Sequence, residues 1–136
     1  MSQIAVSVPE AFDPICRDLL SRRKEGAVVL LSGVLGAGKT TFVRRFALAL
    51  ETTDVASPSF GVMHEYAPNL RHFDLYRVGS EAFFARGLQE TLDSGWNFIE
   101  WADKKIEDYL KNNAIAYVKI NIELKDNLRL VSVGDE

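Results

Sequence analysis

Two rhythms of apolar residues run along this chain, and they predict two kinds of element. Ala27-Val28-Val29-Leu30-Leu31 is apolar at every position, as a strand buried on both faces requires. Shortly after it, Phe42, Val43, Phe46, Ala47 and Leu50 fall on one stripe, which predicts a helix over 40–51. Residues 96–101 read as a further strand. Val118, Ile120, Ile122 and Leu124 alternate with polar residues, and after a turn at Asp126-Asn127 the chain returns through Leu128, Leu130, Val131 and Val133. Ile4, Val6 and Val8 alternate as an edge strand does. Residues 61–66 and 70–76 read as an antiparallel hairpin around Ala67-Pro68-Asn69.

Further helical stripes separate these strands. Ile15, Cys16, Leu19 and Leu20 form one, with Asp13 as the expected N-cap, Pro14 at the first helical position and Gly26 as the closing residue. Phe83, Phe84 and Leu88 form another, started by Ser80 and bent at Gly87. Ile106, Tyr109 and Leu110 point inward from a helix over 103–110. Residues 52–56 and Ser57-Pro58-Ser59-Phe60 read as irregular chain, because Pro58 lacks an N–H and restricts Ser57. Strands and helices therefore alternate, which predicts an α/β fold whose sheet is mixed, parallel near its centre with antiparallel additions.

With 136 residues, one domain spanning 1–136 is expected, with little room for an inserted lid or a second substrate domain. The net charge of −3 gives no basic footprint for an independent nucleic-acid binder. Cys16 is the only cysteine, which excludes an intramolecular disulfide and a cysteine zinc cluster; it is expected to pack as a small apolar residue. No apolar run reaches membrane-spanning length and no signal peptide is visible, so no membrane association and a cytoplasmic location are expected.

Chemistry enters between the first buried strand and its helix. Gly33-Val34-Leu35-Gly36-Ala37-Gly38-Lys39-Thr40 fits G-x-x-x-x-G-K-[ST] at each fixed position. Such a loop turns successive backbone N–H groups, here those of Gly36, Ala37 and Gly38, toward phosphate oxygens, and the helix adds its positive end. Lys39 is placed for the β- and γ-phosphates of a nucleotide, and the Thr40 hydroxyl for Mg²⁺. The expected architecture becomes a three-layer P-loop NTPase. Its metal site needs a carboxylate at the end of a neighbouring strand. Asp74 and Glu100 both qualify as catalytic and metal-side acids. Otherwise Asp74 is a solvated strand end and Glu100 an exposed rim residue.

The remaining residues read more plainly. His64 and His72 have no partner at metal-ligand spacing and read as ordinary surface or strand histidines. Trp101 reads as a packed aromatic close to the site. Arg44 and Arg45 read as a solvated helix face. No arginine is clearly placed to act in cis, Arg77 being the nearest candidate. The segment from Pro9 to Phe12 is a candidate cover for the base. Two other readings of the motif compete with an ATPase: a small-molecule or nucleotide kinase, which needs an acceptor pocket and lid, and a module that binds nucleotide without hydrolysing it. A GTPase is disfavoured because no Asn-Lys-x-Asp element is present.

Four separated blocks carry a family resemblance: Leu35-Gly36-Ala37-Gly38-Lys39-Thr40-Thr41-Phe42, Ser57-Pro58-Ser59-Phe60, His72-Phe73-Asp74-Leu75-Tyr76-Arg77 and Ile99-Glu100-Trp101. In this order and spacing the chain resembles the bacterial tRNA threonylcarbamoyladenosine biosynthesis ATPases, the TsaE or YjeE family. The resemblance implies a small ATPase that uses ATP and Mg²⁺ and works with the protein subunits TsaD and TsaB, meeting tRNA only through that complex. It implies that Lys39, Thr40 and Thr41 hold phosphate and Mg²⁺, that Asp74 and Glu100 serve the metal and the water, and that Ser59 belongs to a mobile loop near the γ-phosphate. Two departures are visible: Val34 stands where the family carries an acid, and Ser59 where it carries threonine.

Overall fold

The computed structural model describes residues 2–34, 36–50, 62–67 and 69–135. The elements are β1 (Ser2–Val6), a 3-10 turn (Pro9–Phe12), α1 (Asp13–Arg22), β2 (Val28–Ser32), α2 (Lys39–Ala49), β3 (Met63–Ala67) and β4 (Leu70–Asp74). They continue through α3 (Gly79–Ala85), a 3-10 turn (Leu88–Thr91), β5 (Trp96–Glu100), α4 (Lys104–Asn112), β6 (Tyr117–Lys125) and β7 (Leu128–Asp135). The expected loop over 52–60, Ser57 to Ser59 included, lies outside the described residues.

One seven-stranded sheet runs in the order β1-β7-β6-β2-β5-β4-β3. β2 pairs in parallel with β5 and β6, and β5 in parallel with β4. β1, β7 and β3 add on antiparallel. The mixed α/β sheet expected from the sequence is therefore present.

The period of two along a strand explains the unbroken apolar run of β2. Val29 and Leu31 enter one core with Phe42, Phe46, Trp96 and Phe98, under α1 and α2. Val28 and Leu30 enter the other with Phe73, Ile99, Phe83 and Ile106, under α3 and α4. Each fully buried Phe or Leu contributes about 2 kcal/mol of transfer free energy. Because both faces of the central strands are filled, the sheet leaves only its strand ends for chemistry.

Cys16 is buried in the first core, as expected; burial pushes its thiol up to about 12. No helix among the described residues is long and apolar enough to cross a membrane.

Three local expectations are corrected. Asp13 does not cap α1: the N-cap is Phe12, without a side-chain bond, and the Asp13 carboxylate instead takes the Arg45 guanidinium at 2.6 and 2.9 Å. A two-pronged charged partner outcompetes a single backbone N–H, and the same pair removes Arg45 from the solvated face assigned to it. α3 starts at Gly79, next to Ser80 as expected, and the Ser80 hydroxyl donates to Asp103 Oδ2 at 2.7 Å. Gly26 lies beyond the end of α1, which closes at Arg23, and its φ of 104° serves a close approach to Gly95.

Candidate phosphate-loop site

The parallel strands β2, β5 and β4 all end on the same side, and there the candidate residues gather. Ser32 ends β2 and leads into the loop, and α2 starts at Lys39 behind an N-cap Gly38 with φ 112°. Asp74 and Glu100 end β4 and β5 as register partners. Parallel pairing puts them on one sheet face about 4.8 Å apart between backbones.

Lys39 is only 4% exposed. Its ammonium donates to the Gly33 carbonyl at 2.7 Å, stands 3.6 Å from Glu100 Oε1 and lies 4.1 Å from the centre of the Trp101 ring. Glu100 is 5% exposed, so it is not a rim residue. Its second oxygen, Oε2, is bound by His72 Nε2. Burial pushes the Glu100 carboxyl up, but the hydrogen bond and charge of His72, with Lys39 behind them, outweigh it and hold the group below its ordinary value. Glu100 is thus a buried carboxylate with both oxygens engaged.

His72 is the residue the sequence reading undervalued. It is 4% exposed, and its other ring nitrogen lies 3.4 Å from the Tyr66 hydroxyl. Tyr66, His72, Glu100 and Lys39 form one polar chain from β3 through β4 and β5 to the start of α2. The signal was present: His72 precedes Asp74 by two residues, which puts both on one strand face. Using it required knowing that β4 pairs with β5.

The other candidates divide. Thr40 and Gly36 are exposed at the loop and Ala37 is buried beneath it. Thr41 follows Thr40 on the first turn of α2 and is half-buried. Asp74 is exposed, with Oδ1 accepting the Tyr76 backbone N–H at 3.0 Å, and among the described residues its second oxygen takes no hydrogen bond. Trp101 is not packed away: it is 38% exposed, stands 4.9 Å from Tyr76 between ring centres, and holds φ at 63°. A left-handed aromatic residue next to a buried acid is the kind of backbone outlier found at functional sites. Arg77 is exposed, and His64 is half-buried beside Tyr66. An arginine does reach the loop, but from the far end of the chain: Arg129 Nε donates to the Ala37 carbonyl at 2.7 Å. Ser32, Gly33, Lys39, Trp101, Glu107 and Lys119 are among the residues lining a cleft of about 230 Å³ beside the loop.

Among the described residues no three His, Cys, Asp or Glu side chains cluster to hold a metal. Mg²⁺ on a phosphate chain does not need such a cluster, because it keeps its waters and takes one or two protein oxygens. An exposed threonine hydroxyl and an exposed strand-end aspartate fit that requirement. Glu100 can offer an oxygen only once Lys39, 3.6 Å from Oε1, turns away, since His72 holds Oε2.

Comparison with known proteins gives the family. The profile of the family described as threonylcarbamoyl adenosine biosynthesis protein TsaE matches residues 6–131. A tRNA threonylcarbamoyladenosine biosynthesis protein TsaE from Rickettsia typhi is 34% identical over 119 residues, covering 83% of this chain and 81% of the relative. Its counterpart from Bacillus subtilis is 36% identical over 115 residues, covering 81% and 72%. The crystal structure of Bacillus subtilis YdiB is similar with a TM-score of 0.62 and 27% identity, covering 97% of this chain and 83% of that one. With the profile running from the last residue of β1 into β7, the chain belongs to the TsaE family.

Proposed function

We propose that this protein is the Mg²⁺-dependent ATPase that serves formation of threonylcarbamoyladenosine beside the anticodon of tRNA, acting with the TsaD and TsaB subunits. One observation carries the hydrolytic reading: the loop lysine is joined to a buried carboxylate, Glu100, which His72 holds from behind. A module that only bound nucleotide would have no use for a buried, ionised acid facing its phosphate lysine, since burying such a group costs stability unless it is paired.

The chemistry follows from what each group is bound to. Lys39 rests on Gly33, Glu100 and Trp101. With ATP in the loop, the ammonium turns to the β- and γ-phosphate oxygens, the stronger anions. That frees Glu100 Oε1 while His72 keeps Oε2 in place. The free oxygen accepts a hydrogen bond from a water and aims it at the γ-phosphorus. The water oxygen bonds to phosphorus as the bond to the bridging oxygen breaks, the electron pair staying with ADP and the water's proton passing to Glu100 Oε1, which returns it to the released phosphate. Thr40 and Asp74 would hold Mg²⁺, which would neutralise charge on the phosphate oxygens. Thr41 and the N–H groups of Gly36 and Gly38 hold the phosphates, and the Ala37 N–H, which donates to the Val34 carbonyl at 3.1 Å, joins them by exchanging that bond when ATP binds. Ser59, whose segment lies outside the described residues, is a further candidate contact for the γ-phosphate.

Phosphoryl transfer is mostly positioning and charge neutralisation, so turnover by the protein alone is expected to be slow and to rise when TsaD and TsaB are added. The test is phosphate release with and without the two subunits, alongside analysis of modified nucleosides in tRNA. Partner-dependent release and modification support the proposal. Transfer of phosphate to a small-molecule acceptor, or no release under any condition, overturns it.

A further inference from the structure

The loop strand β2 has two flanks, and they carry different chemistry. On one flank stand β5 and β4, with Glu100, Asp74 and Trp101 at their ends. On the other stand β6 and β7. β6 runs parallel to β2, so the β6–β7 hairpin turns at the same end of the sheet as the phosphate loop. Arg129, opposite Leu124 in that hairpin, is one residue from the start of β7 and so lies at that end.

Its side chain crosses the loop. Nε donates to the Ala37 carbonyl at 2.7 Å, and a Cβ placed on Gly38 would stand 3.0 Å from Nε and 3.3 Å from Cδ. The stem therefore lies against Gly38, and glycine there keeps the space open. Phosphates are held by loop N–H groups; the Ala37 N–H donates to the Val34 carbonyl at 3.1 Å, and Arg129, bound to the Ala37 carbonyl, sits on the carbonyl edge of the loop rather than among those donors. The bond to Ala37 uses one of five guanidinium donors, and no other hydrogen bond or ion pair involves Arg129 among the described residues.

A nucleotide in this loop has two ends. Its γ-phosphate belongs on the β5 flank, where Lys39 meets Glu100. Its base and ribose must then leave toward the opposite flank. Phe12, once a candidate cover for the base, is 1% exposed and packed edge-on to Phe42 at 5.3 Å between ring centres, so its ring is spent in the core. Arg129 is the half-buried planar cation at that exit.

Resting on the nucleotide reading above, we propose that Arg129 is the base platform of the site: its guanidinium, pinned to the loop by Ala37, presents a flat cationic face to the purine. A planar guanidinium stacks on aromatic faces, and an ammonium does not stack in the same way. Anchoring through Nε fixes the plane before the nucleotide arrives, which lowers the ordering cost of binding.

The experiment is calorimetric titration of wild type, Arg129→Lys and Arg129→Ala with ATP, ADP and inorganic tripolyphosphate in the presence of Mg²⁺, with melting curves to confirm folding. Arg129→Lys keeps the charge and a donor for Ala37 and loses only the flat face. It is expected to weaken ATP and ADP by about fivefold to tenfold and to leave tripolyphosphate within about twofold. Arg129→Ala is expected to lose at least as much for the nucleotides. Equal losses for nucleotide and tripolyphosphate would make Arg129 a brace of the loop and overturn the proposal, as would unchanged ATP affinity in Arg129→Lys. Should wild type bind neither ATP nor tripolyphosphate, the phosphate-loop reading itself fails; binding of both, with no response to Arg129→Lys, sinks only the platform.

Discussion

The two ends of the parallel strands both bury polar groups, and they use them differently. At the N-terminal end, Asn97 is fully buried, and its amide donates to the Thr91 and Ser94 carbonyls at 3.2 and 3.0 Å. Arg71 reaches the Ser94 carbonyl at 3.1 Å and the Asn97 side-chain oxygen at 3.3 Å. Backbones close in as well, with a Cβ on Gly26 falling 2.2 Å from the Gly95 carbonyl oxygen. Amides and carbonyls close there around the half-buried Arg71 guanidinium, and the fully buried Asn97 amide has its donors and acceptor engaged. At the C-terminal end, the buried groups are ions. Lys39 and Glu100 hold each other at 3.6 Å, longer than a good hydrogen bond, beside a half-open Trp101. A loose pair that a stronger anion can separate is a site; a closed amide network is a fastening.

Variants at the two ends should therefore separate rate from stability. The largest effect is expected for Lys39→Ala, which removes the side-chain charge offered to the β- and γ-phosphates. ATP turnover should fall by about a hundredfold or more with the folded state retained, measured by phosphate release and melting. Retained turnover would remove the loop from the chemistry.

His72→Phe comes next. It leaves Glu100 paired with Lys39 but free to turn, so single-turnover hydrolysis should fall about tenfold while ATP affinity by calorimetry holds within about twofold. His72→Gln, which restores a donor, should recover part of the rate. Equal loss in affinity and rate would make the Tyr66–His72 chain a packing feature only.

At the closed end the expectation reverses. Gly26→Ala forces a side chain into the Gly95 carbonyl at positive φ and should cost about 3 kcal/mol of stability. Hydrolysis per folded molecule should be unchanged, as read by urea unfolding and active-site titration. The smallest effect concerns the support behind Trp101. Asp103 caps α4 by accepting from Ile106 N–H at 3.2 Å and takes the Ser80 hydroxyl. Burial pushes its carboxyl up, and these bonds outweigh it and hold it below its ordinary value. Asp103→Ala should cost about 1 kcal/mol at neutral pH. Because the folded pKa is depressed, that contribution is present above the ordinary carboxylate range near pH ~4. It is lost as pH falls through the folded value. Urea unfolding of both proteins at neutral and acid pH should show the gap closing; a constant gap would remove the carboxylate from the cap.

Much of this was legible in the chain. The unbroken apolar run of β2 and the clean alternation of β6 marked the sheet centre and its flank, and the phosphate loop stood out because glycine spacing, strand and helix coincide within a few residues. What escaped depended on strand order. His72 looks like any strand histidine until β4 is set beside β5, and Arg129 looks like a surface residue of a hairpin until β6 is set beside β2. Asp13 escaped for another reason. It is a good capping residue by local rule, but it found a distant partner, Arg45, that binds more strongly than a helix N–H. Trp101 reads from sequence as a packed aromatic close to the site; in the structure its backbone is left-handed and its ring lies half-open over Lys39.

The claim that Glu100 acts on the water, with Lys39 as its partner until ATP arrives, is most directly tested by single-turnover phosphate release from Glu100→Gln with TsaD and TsaB present, set against its ATP affinity. The expected result is a rate at least about tenfold below wild type with affinity unchanged or tighter, since Lys39 no longer has to leave a carboxylate. A wild-type rate in Glu100→Gln would contradict it.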